Sequence, residues 1–262
     1  MIINRIQHSI TGDIMQKIIA AITFGMLALT SAQAAEIRVL SAGAVEPGLH
    51  AFAALVKREL GHDLKITFNT APQIAKRLAA NEVQDLLVSP PAVVEQAAKE
   101  GKVIGDTRVP VGRVGAGVIV RNGATPPNIS SVESLKQALL AADTLVYNSA
   151  STGIYLDKLF AGMGILDTLK PKTARYANGA MVMDHVIAGK GNEIGFGAIT
   201  EIKLYEGKGL KLVGPLPKDI QNYTSYEAVL MSGATATDAA RAVLRLLATP
   251  AAKKTFVDAG ID

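Results

Sequence analysis

The 262-residue sequence contains no cysteine. That absence excludes disulfides, thiol nucleophiles, iron–sulfur clusters and Cys-ligated zinc, and leaves a packed core as the means of holding a fold. Aromatic residues make up 5% of the chain, and Lys and Arg nowhere cluster. A basic stripe with interleaved stacking aromatics, the mark of nucleic-acid binding, is therefore missing. Histidine is scarce as well. Beyond residue 34 it occurs at His50, His62 and His185, too scattered to suggest a metal site.

What is present begins with a leader. Lys17 precedes an apolar-to-neutral run over residues 18–29, and Ala32-Gln33-Ala34 follows it. A positive residue, a short greasy segment and small residues at the −3 and −1 positions read as a secretory signal peptide. The run is too short to cross a bilayer, which takes about 20 apolar residues. A mature chain is expected to start near Ala35, with Met15 an alternative initiator, and to work in the periplasm without membrane insertion. Residues 1–34 hold Arg5, Lys17 and Asp13, so the remainder carries 25 basic against 22 acidic side chains. This mild excess suits a small anionic ligand.

From residue 35 onward, short β-branched runs alternate with helical patterns. Strands are expected at 36–40, 64–68 and 86–88, each followed by a helix; the first helix presents Leu49, Phe52, Val56 and Leu60 on one face, with Pro47 in its first turn. A long glycine-punctuated strand over 109–120 follows, then a turn at Arg121-Asn122-Gly123 and a helix capped by Ser130 or Ser131. A second series places strands at 144–147, 173–176 and 193–197 before helices at 153–163, through Ala188, and at 199–205. Residues 226–230 return as a strand, and two helices split by Pro250 close the chain. Strand–loop–helix repetition argues an α/β fold with parallel strands. Two such blocks and a returning segment suggest two lobes: 35–112 with 221–262, and 113–220.

Ligands of open α/β sheets sit at the carboxyl ends of strands. Here those loops are 41–46, 69–72, 89–90, 148–152, 178–179 and 198–200, rich in Ser, Thr, Asn and Gly. Helix N-termini converging there offer free N–H groups and partial positive charge to an anion.

At these loops the chain resembles periplasmic solute-binding proteins of the molybdate-binding type. The resemblance rests on Ile37-Arg38-Val39-Leu40-Ser41-Ala42-Gly43-Ala44, Phe68-Asn69-Thr70-Ala71, Asp85-Leu86-Leu87-Val88-Ser89, Gly153-Ile154-Tyr155 and Ile194-Gly195-Phe196-Gly197. It implies a type 2 periplasmic binding fold: two lobes, a cleft between them, and hinges near residues 111–116 and 215–226. Where molybdate binders use two serines and a tyrosine, this chain has Ala44, Ala71 (or Thr70) and Ala198. Each charge-assisted bond lost from a buried oxyanion costs about 1.5–3 kcal/mol, which argues against molybdate. In the Thr152-Gly153-Ile154-Tyr155 and Asn178-Gly179 loops the chain is similar to the branch that includes the aconitate isomerases.

Interconverting trans- and cis-aconitate is an allylic proton shift, and it requires no metal or organic cofactor in principle. It needs donors for carboxylates and one group to carry the proton. The donors expected are Asn69, Thr70, Ser89, Arg113, Ser149, Ser151, Thr152 and Asn178. Arg113 interrupts an apolar strand and presents a fork suited to a carboxylate; a solvated edge arginine would look the same. The proton carrier is sought among Glu46, His185 and Tyr155. Glu46 could equally be a helix-dipole carboxylate, His185 a packed or surface histidine, and Tyr155 a packing aromatic. The alternative to an enzyme is a receptor passing an organic carboxylate or oxyanion to an ABC permease.

Overall fold

A computed structural model describes residues 34–262; the expected signal peptide lies outside the described residues. Nine strands form one hydrogen-bonded sheet. They are β1 (Glu36–Ala42), β2 (Asp63–Asn69), β3 (Leu86–Ser89), β4 (Val109–Arg121), β5 (Thr144–Asn148), β6 (Thr173–Tyr176), β7 (Glu193–Ala198), β8 (Leu210–Pro215) and β9 (Tyr223–Leu230). Their spatial order is β2-β1-β3-β9-β4-β7-β5-β6, with β8 on the other edge of β4. The expected parallel sets are present: β1 pairs with β2 and β3, and β5 with β6 and β7. Strands β9 and β4 run antiparallel to their neighbours. Among the described residues no helix is long and apolar enough to cross a membrane.

The helices are α1 (Glu46–Leu60), α2 (Ala71–Ala79), α3 (Pro91–Lys99), α4 (Val132–Ala141), α5 (Ser151–Gly162), α6 (Leu166–Leu169), α7 (Gly179–Ala188), α8 (Ile199–Lys203), α9 (Thr237–Leu247) and α10 (Pro250–Asp258). The α/β class and nearly every expected element are observed. Strand β8 and the single-turn α6 were not anticipated, and β9 begins earlier than residue 226. Helix starts are locally encoded. Ser131 accepts a hydrogen bond from Ser134 N–H (3.1 Å) at α4, and Thr249 from Ala252 N–H (3.3 Å) at α10; such caps satisfy otherwise unpaired first-turn donors.

Burial follows the pleat. Along β4, Val118 faces a core with Leu135, Leu145, Phe160 and Phe196, while Ile119 faces another with Val146, Val182 and Met183. That part of the sheet is thus covered on both faces, as parallel strands require. Strands β1, β3 and β9 share a separate core with α1, α9 and α10, where Phe52 and Phe256 pack at 5.8 Å.

One buried charge ties that core together. Asp85 is fully buried, and its carboxylate accepts from the backbone N–H of Arg38 (2.8 Å), Thr235 (2.8 Å) and Ala236 (3.0 Å). Burial pushes its pKa up, but these hydrogen bonds prevail and hold it below the ordinary carboxylate value. Asp85→Ala should cost about 3–5 kcal/mol, since it strands buried donors, and lower the Tm by roughly 10 °C. Because the folded pKa is depressed, the contribution is present at neutral pH and is lost as pH falls below the ordinary carboxylate range. Calorimetric melts of parent and variant should converge toward acid pH.

Candidate functional site

The carboxyl ends of β1, β2, β3, β5 and β7 meet at a narrow cleft of about 40 Å³, which continues into an adjoining opening of about 210 Å³. Residues Gly43, Asn69, Thr70 and Glu201 line both. The N-termini of α2 and α5 open onto the cleft through Thr70-Ala71 and Ala150-Ser151-Thr152. Gly153 makes the second of these turns possible, because a Cβ there would lie 1.7 Å from the Asn148 carbonyl oxygen. A larger groove of about 930 Å³ lies beside Arg121 and α4. It lies near the amino ends of β5 and β7 rather than at the carboxyl ends of the parallel strands, where α/β folds place their ligands.

Glu201 dominates the site. It sits in the first turn of α8, half-buried, and its two oxygens lie against two glycines: a Cβ on Gly43 would fall 2.7 Å from Oε1, and one on Gly179 would fall 2.6 Å from Oε2. The two glycines lie far apart in the sequence and at different parts of the sheet, after β1 and after β6, and the carboxyl group is wedged between them. No described residue donates a hydrogen bond to it. Burial, and secondarily the negative charge of Glu46, push its pKa from the usual carboxylate value to about 7. The neighbouring Thr200 is fully buried and donates from Oγ1 to the Ala44 carbonyl at 2.5 Å, which fixes α8 against the turn after β1. Tyr226 of β9 also lines the cleft. Burial, and then Glu201, hold its phenol protonated well above the ordinary tyrosine range.

Of the residues anticipated from sequence, Asn69, Thr70, Ser151 and Thr152 line the cleft, while Glu46 and Asn178 line the adjoining opening. Thr70 carries a buried hydroxyl with no partner among the described residues, while its N–H is taken by the Gln73 side chain at 2.9 Å. Glu46 lies 3.5 Å from His50. Alanines 44, 71 and 198 all line the cleft, so no hydroxyl stands at those positions.

Five expected residues lie elsewhere. Arg113 is exposed, its guanidinium stacked 4.5 Å from the centre of the Tyr223 ring, because pleating turns it away from its buried neighbour Val114. His185 bonds Tyr176 Oη at 2.7 Å on the far part of α7. Tyr155 donates to the Ile220 carbonyl at 2.6 Å and packs against the core. Ser149 is exposed, and Ser89 is fully buried with its hydroxyl unpartnered; neither lines the cleft. Glu201 and Tyr226 had not been anticipated. The one signal for Glu201 was its place just after the 198–200 loop. No Lys or Arg stands on the walls of either opening, and the described residues include no group of three His, Asp or Glu able to hold a metal ion.

Two outcomes follow from this geometry. Folding raises the Glu201 pKa, so the unfolded chain releases its proton first as pH rises, and stability declines between about pH 4.5 and 7. Above pH 7 the ionised carboxylate costs about 2–3 kcal/mol, allowing for the solvent that reaches it. Glu201→Gln should therefore raise the Tm by roughly 4–10 °C at pH 8 and change it little at pH 4, as scanning calorimetry can measure. Arg113→Ala should leave ligand affinity within about twofold of the parent by titration calorimetry; a tenfold loss would put the guanidinium back in the site.

Known proteins share this architecture. The chain is 30% identical over 230 residues to an aconitate isomerase from a Pseudomonas species, covering 86% of this chain and 87% of that protein. It is 24% identical over 222 residues to the molybdate-binding protein ModA of Escherichia coli K12, covering 82% and 84%. A periplasmic molybdate-binding protein of Azotobacter vinelandii superposes with a TM-score of 0.71 at 14% identity, over 86% of this chain and 98% of the other. Residues 37–262 match the model of the bacterial extracellular solute-binding proteins, and with this fold the chain belongs to that family.

Proposed function

We propose that this protein is an isomerase of small unsaturated polycarboxylates that interconverts trans- and cis-aconitate, with Glu201 as the proton carrier. The observation that carries the reading is the lone half-buried carboxyl of Glu201, lodged between Gly43 and Gly179 with a pKa of about 7. A group that titrates near the working pH can both take a proton and return it. The similarity to an aconitate isomerase over most of both chains supports the same reading.

In the reaction, the Glu201 carboxylate removes a proton from the methylene next to a substrate carboxylate. The C–H electron pair moves into the adjoining carbon–carbon bond, and the original double-bond pair shifts to the far carbon. That carbon takes the proton back from Glu201. The former methylene–carbon single bond becomes the new double bond, so the rotamer held about it as the proton leaves decides which geometry forms, and no net proton is gained or lost. The negative charge that develops faces the N-termini of α2 and α5, the Thr70 hydroxyl, Ser151, Thr152 and the protonated Tyr226 phenol. Fixed donors of this kind stabilise charge more effectively in a sheltered cleft than water does. Burial, and secondarily the charge of Glu46, keep the Glu201 pKa high. The two parts of the sheet act as lobes, 35–112 with 221–262 and 113–220, that close on the ligand in the periplasm.

A second reading is a transport receptor for a carboxylate or oxyanion, delivered to an ABC permease; the similarity to molybdate-binding proteins favours it. Alanines at 44, 71 and 198 weigh against molybdate itself, since each missing charge-assisted bond is worth about 1.5–3 kcal/mol.

The two readings separate in one assay. A catalytic amount of protein mixed with trans-aconitate should yield cis-aconitate by chromatography with nothing else added, and kcat/KM should rise with pH through about 7 as Glu201 ionises. Glu201→Gln should lower kcat at least a thousandfold while still binding aconitate. Absence of product from the parent chain ends the isomerase reading; full activity in the glutamine variant ends the assignment of Glu201.

A further inference from the structure

Several arginines among the described residues have local partners. Arg38, Arg58, Arg77 and Arg175 each pair with a carboxylate, and Arg113 stacks on Tyr223. Arg241 and Arg245 do neither among the described residues. They stand one turn apart on α9, where like charges four residues apart repel, and with Leu244 they form one wall of an open cavity of about 300 Å³. Arg108, just before β4, lines the facing wall. Its Nε is buried without a hydrogen-bond partner, and its Nη1 makes an ion pair with Glu227 Oε1 at 3.6 Å, a separation beyond hydrogen-bond range. Asp106 is the acidic residue on the lining and Glu227 pairs with Arg108, against three arginines.

We propose that this cavity is an accessory binding site for a small anion bearing two oxyanion groups, held between the Arg241–Arg245 pair and Arg108. Planar guanidinium forks match carboxylate and phosphoryl oxygens in pairs. Leu244 and Val109 form an apolar flank that limits hydration of the bound anion. The anion relieves the repulsion along α9. The site is independent of the cleft and of the isomerase reading, since none of its residues lines the cleft.

Titration calorimetry at low salt tests it, with inorganic pyrophosphate and succinate as separate probes to distinguish phosphoryl from carboxylate ligands. The parent protein should bind at least one probe at one more site than Arg241→Gln/Arg245→Gln, or at least tenfold more tightly at that site. Arg245→Gln, at an exposed position, should give a smaller loss in the same direction. A control pair on α10, Lys253→Gln/Lys254→Gln, removes the same charge and should leave binding intact. Equal site number and affinity in parent and arginine double variant overturn the proposal. So does failure of both probes to bind, or an equal loss in the lysine control, which would mean diffuse electrostatic attraction.

Discussion

Strand β4 is the constraint on which the rest of the fold depends. Its first part pairs with β9 and so joins the sheet built on β1–β3, while its second part lies between β7 and β8. Without that strand the two sets of parallel strands share no hydrogen-bonded neighbour, and the cleft between their carboxyl ends has no walls. The ladder shifts register between Pro110 and Gly112. Gly112 adopts a φ of 144°, with Ile261 and Asp262 so close that any Cβ would collide with them. Arg113 exchanges both backbone hydrogen bonds with Asp262, at 2.8 and 3.1 Å, which pins the end of the chain beside this irregularity. A side chain at position 112 would disturb the strand and its tether together.

The cleft is stabilised from outside rather than by its own chemistry. Glu201 is held among apolar and backbone atoms with a second acid nearby, an arrangement that costs stability whenever the group is ionised. The Thr200–Ala44 hydrogen bond, the buried Ile202 and the packing of Met183 beneath Gly197 keep the carboxyl in place. Perturbed acids held against their preference are characteristic of catalytic positions. In a chain without disulfides, the offsetting stability comes from the cores on either side of the sheet and from anchors such as Asp85.

The fold was legible because its signals are local. β-branched runs, the Ser131 cap, Pro250 between the last two helices and the glycine turn at Asn122-Gly123 lie within a few residues of the elements they define. Strand β8 escaped notice because Lys211 and Gly214 break its apolar pattern and its pairing with β4 is a long-range matter. The site was legible loop by loop, as Asn69, Thr70, Ser151 and Thr152 attest, but not as a constellation. Glu201 in a first helical turn looks like an ordinary dipole-stabilising acid; what distinguishes it is contact with Gly43 and Gly179, which no spacing along the chain encodes. Arg113 stands outside the cleft for the opposite reason. An arginine in an apolar strand draws attention by composition, whereas strand alternation, with Val114 buried, sends its side chain to the exterior.

The absence of Lys and Arg from the cleft walls bears on how a ligand arrives. Long-range attraction of charged molecules requires fixed charges whose field extends beyond the mouth of a site, and such steering can accelerate association by 10- to 1000-fold. Backbone N–H groups at helix ends and neutral hydroxyls act over one or two bond lengths and project little field into solvent. Any long-range pull on an anion therefore comes from the chain's overall excess of basic residues rather than from the cleft walls, and it weakens as salt rises.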